Sequence, residues 1–298
     1  MFYTQSIDQK TSILATGLNG LIGSKLVADL NQYNFTNIDR ADPQFPVDIT
    51  VLDQVKTAFE KSPSEVVIHF AAFTDVTKAW EQKGDKSGIA WQVNVLGTQN
   101  VISAAKQSGK HLIHISTAYV FDGENTQMYT EEDQPHPIEW YGQTKFEAEQ
   151  LIKQSDINWT ILRIDQPFRS DPFPKLDTAH RIIEGIKLGK LYPQFTDHFF
   201  GPTFIDDFVK VINFFIRTQT KGLFHASSGE MWSDFDFAQS LNQALNLGGE
   251  IQKGSLDTYL KTLNRPYQKN TALNCQKLKQ ILDFELTPIS QAVKKISF

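Results

Sequence analysis

Residues 12–31 read S-I-L-A-T-G-L-N-G-L-I-G-S-K-L-V-A-D-L-N. A short apolar run, Ser12–Thr16, stops at a glycine, and apolar residues then recur at Leu18, Leu21, Ile22, Leu26 and Leu30, the spacing of one helical face. This is strand, glycine turn, helix, and it commits the chain to a βα unit. The pattern repeats. N-F-T-N-I-D reads as a second strand, I-T-V-L-D-Q-V-K-T-A-F-E-K-S as a helix and S-E-V-V-I-H-F-A-A as a buried strand. A long amphipathic helix is predicted from Gly88 to Gly109, followed by the strand K-H-L-I-H-I-S-T, a helix around Tyr141 that ends near Gln154, and the strand N-W-T-I-L-R-I. Strands alternating with helices predict parallel βαβ units in an α/β fold.

After Arg163 the texture changes. D-Q-P-F-R-S-D-P-F-P-K-L-D-T is proline-rich and irregular, which marks an excursion away from the sheet. Helices are predicted at D-T-A-H-R-I-I-E-G-I-K-L-G-K and F-I-D-D-F-V-K-V-I-N-F-F-I-R-T-Q, and G-L-F-H-A-S-S-G reads as a strand returning to the sheet. Ser233 opens a further helix as its cap, and the tail carries two short helices. The expectation is a doubly wound parallel Rossmann sheet from residues 1–164 plus about 205–229. A smaller, discontinuous C-terminal substrate-binding part then comes from about 165–204 plus 230–298.

The 298 residues are 40% apolar, ample for a large core. The formal net charge is −5 without a basic block, which argues against nucleic acid as the main partner. Cys275 is the single cysteine, so neither an internal disulfide nor a cysteine-based zinc site is possible. The start M-F-Y-T-Q-S-I-D-Q-K-T-S lacks a signal-peptide pattern. No apolar run approaches the roughly 20 residues that span a bilayer. A soluble, cytoplasmic setting without a membrane is expected.

Gly17, Gly20 and Gly23 lie at the first βα turn. One glycine can make the turn, one can let backbone N–H groups approach a pyrophosphate, and one can let the helix sit close to the strand; the alternative reading is packing alone. A carboxylate about 20 residues on is expected to meet ribose hydroxyls. Asp39 stands there and disfavours a 2′-phosphate, whereas its neighbour Arg40 favours one, so this dipeptide does not choose between NAD and NADP.

Ser116 and Thr117 end a strand, where α/β sheets face their ligand crevice, although such a pair also forms turns. Tyr141 and Lys145 stand one helical turn apart and share a face, although two such residues alone also read as a chance surface pair. An ammonium beside a phenol favours the phenolate and lowers its pKa, which suits proton transfer near neutral pH.

Gly17-x-x-Gly20-x-x-Gly23, V-V-I-H-F-A-A-F-T-D-V, N-V-L-G-T-Q-N-V, I-S-T-A-Y-V-F-D-G and Tyr141-x-x-x-Lys145, in this order, resemble the extended short-chain dehydrogenase/reductases over nearly the full chain. A-A-F-T-D-V-T-K-A-W-E-Q, G-P-T-F-I-D-D and R-P-Y-Q-K-N-T-A-L-N-C-Q-K-L-K-Q are similar to signatures of the dTDP-4-dehydrorhamnose reductase group. The resemblance implies that Tyr141 protonates a carbonyl oxygen during hydride transfer and that Thr117 bonds the same oxygen. Lys145 would bind the nicotinamide ribose and hold the tyrosine pKa down. Asn94 would support the lysine side through backbone or water contacts. Gly17, Asn19, Gly20, Leu21, Ile22 and Gly23 would hold the dinucleotide with Asp39 and Arg40. Asp48 and Ile49 would touch adenine, and Ala71, Ala72 and Thr74 would line the cofactor. The implied substrate is a small molecule, a nucleotide-linked sugar, and a homodimer is a family expectation.

The chain departs from the group on the substrate side. The acid that usually follows the catalytic threonine is Ala118, and R-I-D-Q-P-F-R-S-D-P-F stands where a tryptophan-bearing segment is usual. Asp-Glu at that point marks the related dehydratases, so dehydration is disfavoured. The leading reading is an NAD(P)H-dependent reductase of a keto sugar. The alternatives are an NAD-dependent sugar-nucleotide epimerase and a non-catalytic, nucleotide-binding regulatory subunit. His69 reads as a core histidine, and Asp206-Asp207 as a complement to a helix dipole rather than a metal pair. Arg163, Gln166, Phe168, Arg169 and Lys175 are candidates for substrate contact, Arg and Lys being suited to a diphosphate.

Overall fold

The computed structural model describes residues 10–43 and 46–298; the segment read for a signal peptide falls largely on residues 1–9, outside them. The strands are β1 (Thr11–Thr16), β2 (Tyr33–Ile38), β3 (Val66–His69), β4 (His111–Thr117), β5 (Trp159–Ile164) and β6 (Gly222–His225). They form one six-stranded sheet in the order β6-β5-β4-β3-β1-β2, and every pairing is parallel. β3 and β4 are buried at every residue, which explains their continuous apolar runs. β2 lies at the edge, and its alternating burial matches its more polar sequence.

Helices cover both faces. α1 (Leu21–Asp29) and α6 (Ile205–Thr218) bury Leu26, Phe208, Ile212 and Phe215 against Ile13, Ile68, Ile113 and Leu162. On the other face α2 (Leu52–Lys61), α3 (Thr98–Ser108) and α4 (Trp140–Lys153) bury Val55, Phe59, Val101, Ala105 and Ile152 against Leu14, Val67, Leu112 and Ile161. The sheet is therefore doubly wound, as the sequence pattern implied. The sense of crossover changes between β1 and β3, so the crevice opens at the carboxyl ends of these strands.

A separate apolar cluster packs α5 (Thr178–Lys187) against α7 (Asp234–Ala244), with Phe168, Phe200 and Phe204 before α7 and Ile289 and Val293 after it. The Ser233 hydroxyl caps α7 by accepting the Asp236 N–H at 3.0 Å.

The helix predicted over 88–109 is not uniform. Ile89–Trp91 is α-helical, Gln92–Gly97 forms a wider π-helical turn, and α3 follows. The Thr98 hydroxyl takes the Asn94 carbonyl at 2.7 Å, a side-chain bond that competes with the backbone ladder. The wide turn brings Asn94 toward the loop after β3, and such turns recur at functional sites.

Candidate active site

Gly17 ends β1 with φ +74°, and a Cβ there would stand 2.9 Å from the Ala71 nitrogen. Gly23 faces the same constraint without the unusual φ: its Cβ would meet the Leu18 carbonyl oxygen at 2.8 Å. Glycine thus lets the turn pass against the loop after β3 and lets α1 sit on it. α1 starts at Gly20 with no side-chain cap and no acid in its first turn, so its N–H groups and positive dipole end are left for an anion. This cradle fits a pyrophosphate. Asn19 and Gly20 are exposed beside it, and Leu21 and Ile22 are half-buried. Gly17→Ala is expected to lower stability by about 1 kcal/mol or more, because the left-handed conformation disfavours a Cβ. It should also weaken dinucleotide binding, and thermal melts with and without nucleotide check both effects.

At the end of β2, Asp39 accepts the Ala41 N–H at 2.8 Å, and Arg40 is exposed. Asp48 is bound by Thr50, whose N–H and hydroxyl reach its Oδ1 at 2.9 and 2.7 Å and hold its pKa down. Ile49 is buried, and its carbonyl accepts from the Asn100 amide at 2.8 Å.

The loop after β3 hangs on one connected network. The Ala71 N–H donates to Thr16 Oγ1 at 3.1 Å, and Thr16 Oγ1 lies 2.7 Å from His69 Nδ1. His69 Nε2 lies 3.0 Å from Thr98 Oγ1, which itself donates to the Asn94 carbonyl. The donors fit one tautomer, with the proton on Nε2, so His69 is a satisfied core histidine held neutral. Asn94 spends its amide on this loop and on α4: Oδ1 accepts the Phe73 N–H at 2.7 Å, and Nδ2 donates to the Phe73 carbonyl at 3.1 Å and to Thr144 Oγ1 at 2.9 Å. It makes no hydrogen bond to Lys145 and steadies the loop that carries Ala71, Ala72 and Thr74.

Thr117 ends β4, and Tyr141 lies in the first turn of α4, where the Thr117 hydroxyl stands beside the phenol and favours its ionised form. Tyr119 packs edge-on against Tyr141 with centroids 6.0 Å apart. Lys145, one turn on, is only 3% exposed. Its Nζ lies 3.0 Å from His114 Nε2 and donates to the Ile115 carbonyl at 2.8 Å. Here the structure corrects an expectation. The Tyr141 pKa is raised rather than lowered, first by burial and then by the Glu139 carboxylate, with the Thr117 hydroxyl opposing. Lys145 turns its charge into the sheet and is itself held down to about 8 by burial. A phenol in this state keeps its proton at neutral pH.

Glu139 escaped the sequence reading. It caps α4 with Oε2 on the Tyr141 N–H at 2.7 Å and Oε1 on the Gly142 N–H at 2.6 Å. Burial pushes its pKa up to about 7 against the pull of these bonds and of Arg265. The signal was an acid at a helix start. Arg265 and Tyr267 also belong here: Tyr119 opposes the rise that burial gives the Tyr267 pKa, and Arg265 lies over the Tyr267 ring at 4.9 Å.

The substrate candidates separate. Arg163 is fully buried, with Nε and Nη2 on the two Glu149 oxygens at 2.9 and 2.7 Å, so it is a core ion pair and not an arm for a diphosphate. Phe168 is core. Arg169 reaches α1 instead, donating to the Leu21 carbonyl and Ser24 Oγ at 3.2 and 2.9 Å. Gln166 has φ +38°, a strained position at the end of β5, and Lys175 is exposed. Asp206 and Asp207 are taken up by protein partners: Asp206 accepts from Ser170, and Asp207 pairs with Lys210 at 2.8 Å. Among the described residues no group of three or more His, Cys, Asp and Glu could hold a metal ion, and no helix is long and apolar enough to cross a membrane.

The buried titratable groups predict a pH dependence. Burial lowers His69 and His225 to about 3, His111 to about 4 and His114 well below 6.5. These imidazoles take up protons only on unfolding, so their contribution is present above 6.5 and lost as pH falls. Glu139 and Asp165, both raised to about 7, work the other way, as does His180, raised by Asp177. Four depressed histidines outweigh these three opposing groups, so the urea midpoint should be lower at about pH 4.5 than at about pH 7.

The family model described as the RmlD substrate binding domain matches residues 11–297. The chain belongs to this family. Among its relatives, dTDP-4-dehydrorhamnose reductase of Aggregatibacter actinomycetemcomitans is 27% identical, the match covering 95% of this chain and 97% of the relative. Mouse (Mus musculus) methionine adenosyltransferase 2 subunit beta is 28% identical, covering 95% and 86%. The solved structure of dTDP-4-dehydrorhamnose reductase from Bacillus anthracis, in complex with NADP, superposes with a TM-score of 0.86 at 24% identity, covering 97% of this chain and 99% of that one. That last likeness establishes the shared fold of this RmlD family member.

Proposed function

We propose that this protein is an NAD(P)H-dependent reductase of a keto group on a nucleotide-linked sugar. The observation that carries the reading is the Thr117–Tyr141 hydroxyl pair at the carboxyl end of β4, with Lys145 one turn below, beside the anion-ready turn of Gly17, Gly20 and Gly23. A nicotinamide dinucleotide supplies the hydride when bound. Residues of the glycine turn would hold its pyrophosphate, with Ala71, Ala72 and Thr74 along the same crevice. Thr117 and Tyr141 direct two hydroxyls at the substrate oxygen. Tyr141 gives up its proton as charge develops there, and burial and Glu139 keep that proton in place until then. The sugar-nucleotide assignment draws on the relatives named dTDP-4-dehydrorhamnose reductase. Ala118, where dehydratases carry an acid, favours reduction over dehydration.

A second reading is favoured by one observation: several relatives are named as subunit beta of a methionine adenosyltransferase. In that reading the crevice binds nucleotide without turnover. Calorimetric titration with NADPH and NADH, nucleotide analysis of protein purified without added cofactor, and turnover of nucleotide-linked keto sugars together separate the possibilities. A reductase binds added NADPH or NADH and releases it after use, and an epimerase arrives with NAD already bound. Failure to bind either nucleotide sinks the reductase reading.

A further inference from the structure

We propose that His114 is a positioning residue for Lys145: its Nε2 lone pair holds the ammonium at the floor of the crevice and sets the direction of the N–H that remains. The inference rests on the reading of Lys145 as part of the active site and adds to it a residue from the middle of the sheet.

Three facts carry it. Lys145 Nζ lies 3.0 Å from His114 Nε2 and 2.8 Å from the Ile115 carbonyl, so two of the ammonium donors are spent on β4. Both side chains are almost wholly buried, at 3% and 1% exposure, so water does not compete for the contact. His114 Nδ1 has no partner among the described residues. To accept from an ammonium, the ring must be neutral with its proton on Nδ1, and that N–H is then left unpaired. A buried unpaired donor is unfavourable. Apart from His111 at its start, whose Nε2 meets Thr160, β4 is built of Leu, Ile and hydroxyl residues, so an apolar side chain at 114 would pack without that penalty. The exchange makes sense if the acceptor on Nε2 is what the position supplies.

The acceptor is also uncharged. A carboxylate in this place would pair with Lys145 and cancel its charge. A neutral imidazole holds the ammonium and leaves its charge uncancelled. The surroundings keep the ring neutral. His69 from β3 packs against it at 5.2 Å and is locked in its own neutral tautomer by Thr16 and Thr98. From α4, the nearby acid Glu149 is held by Arg163 and Ser116. Protonation of His114 would set two cations side by side.

Two measurements test the proposal. In the wild-type protein, a long-range nitrogen-15 spectrum of the imidazoles should show His114 with its proton on Nδ1; the Nε2–H tautomer or an imidazolium at neutral pH overturns the idea without any variant. Then His114→Leu, close in volume, should lower kcat about a hundredfold with a small change in KM, since a slightly misplaced group is felt strongly in turnover. The alkaline limb of its kcat profile should move to lower pH, because a buried ammonium without its acceptor loses its proton more readily. His114→Gln, which returns an acceptor, should recover much of both. A folded His114→Leu protein with the wild-type kcat and pH profile overturns the proposal. Should Lys145→Met also turn over normally, the reading of the site fails, and the two failures are thereby distinguished.

Discussion

Tyr141→Phe is expected to lower turnover by about 10²- to 10⁴-fold, the usual contribution of a positioned general acid. Dinucleotide affinity should change little. The substitution removes one oxygen at a helix start whose backbone is fixed by Glu139 on the Tyr141 and Gly142 N–H groups. The ring keeps its packing on Tyr119, and Thr117 stays anchored to the Tyr119 N–H at 3.2 Å. The effect should therefore fall on kcat. A folded variant that binds nucleotide and turns over at the wild-type rate would rule out the phenol as proton donor.

The largest stability effect is expected at Arg163. Arg163→Leu should destabilise the protein by about 3–5 kcal/mol, the loss seen when one partner of a buried ion pair is removed. Glu149 is fully buried, and its charge is held by Arg163, by the Ser116 hydroxyl at 2.6 Å and by Lys153 at 3.6 Å. Without the guanidinium the carboxylate is left in the interior with much weaker compensation. The double variant Arg163→Leu with Glu149→Leu should recover a large part of the loss, because two apolar groups replace the pair. Urea unfolding of the two single variants and the double gives the coupling directly. Equal and additive losses would show that the pair is not coupled.

Much of the fold was legible because burial on both faces leaves a strong mark. β3 and β4 read as continuous apolar runs, and α6 showed its apolar face plainly. The returning strand β6 was marked by its glycine start and its place after a helix. The wide turn at Gln92–Gly97 was not legible, since it depends on Asn94 meeting Phe73 and Thr144, partners far away in sequence. The same holds for the site. The positions of Gly17, Thr117, Tyr141 and Lys145 could be read from spacing, but their electrostatics could not. The Tyr141 pKa follows from burial and from Glu139, not from the lysine one turn on. Arg163 looked available for a substrate because sequence does not report that Glu149, 14 residues before it, lies beside it in the core.

The most direct test of the account is to follow the absorbance of NADPH and of NADH while the protein is offered a panel of nucleotide-linked 4-keto sugars. Oxidation of the nicotinamide in step with loss of the keto sugar, abolished in Tyr141→Phe, is the predicted result. Tight nucleotide binding with no oxidation on any member of the panel would contradict the proposed reduction of a nucleotide-linked keto sugar and favour a nucleotide-binding subunit.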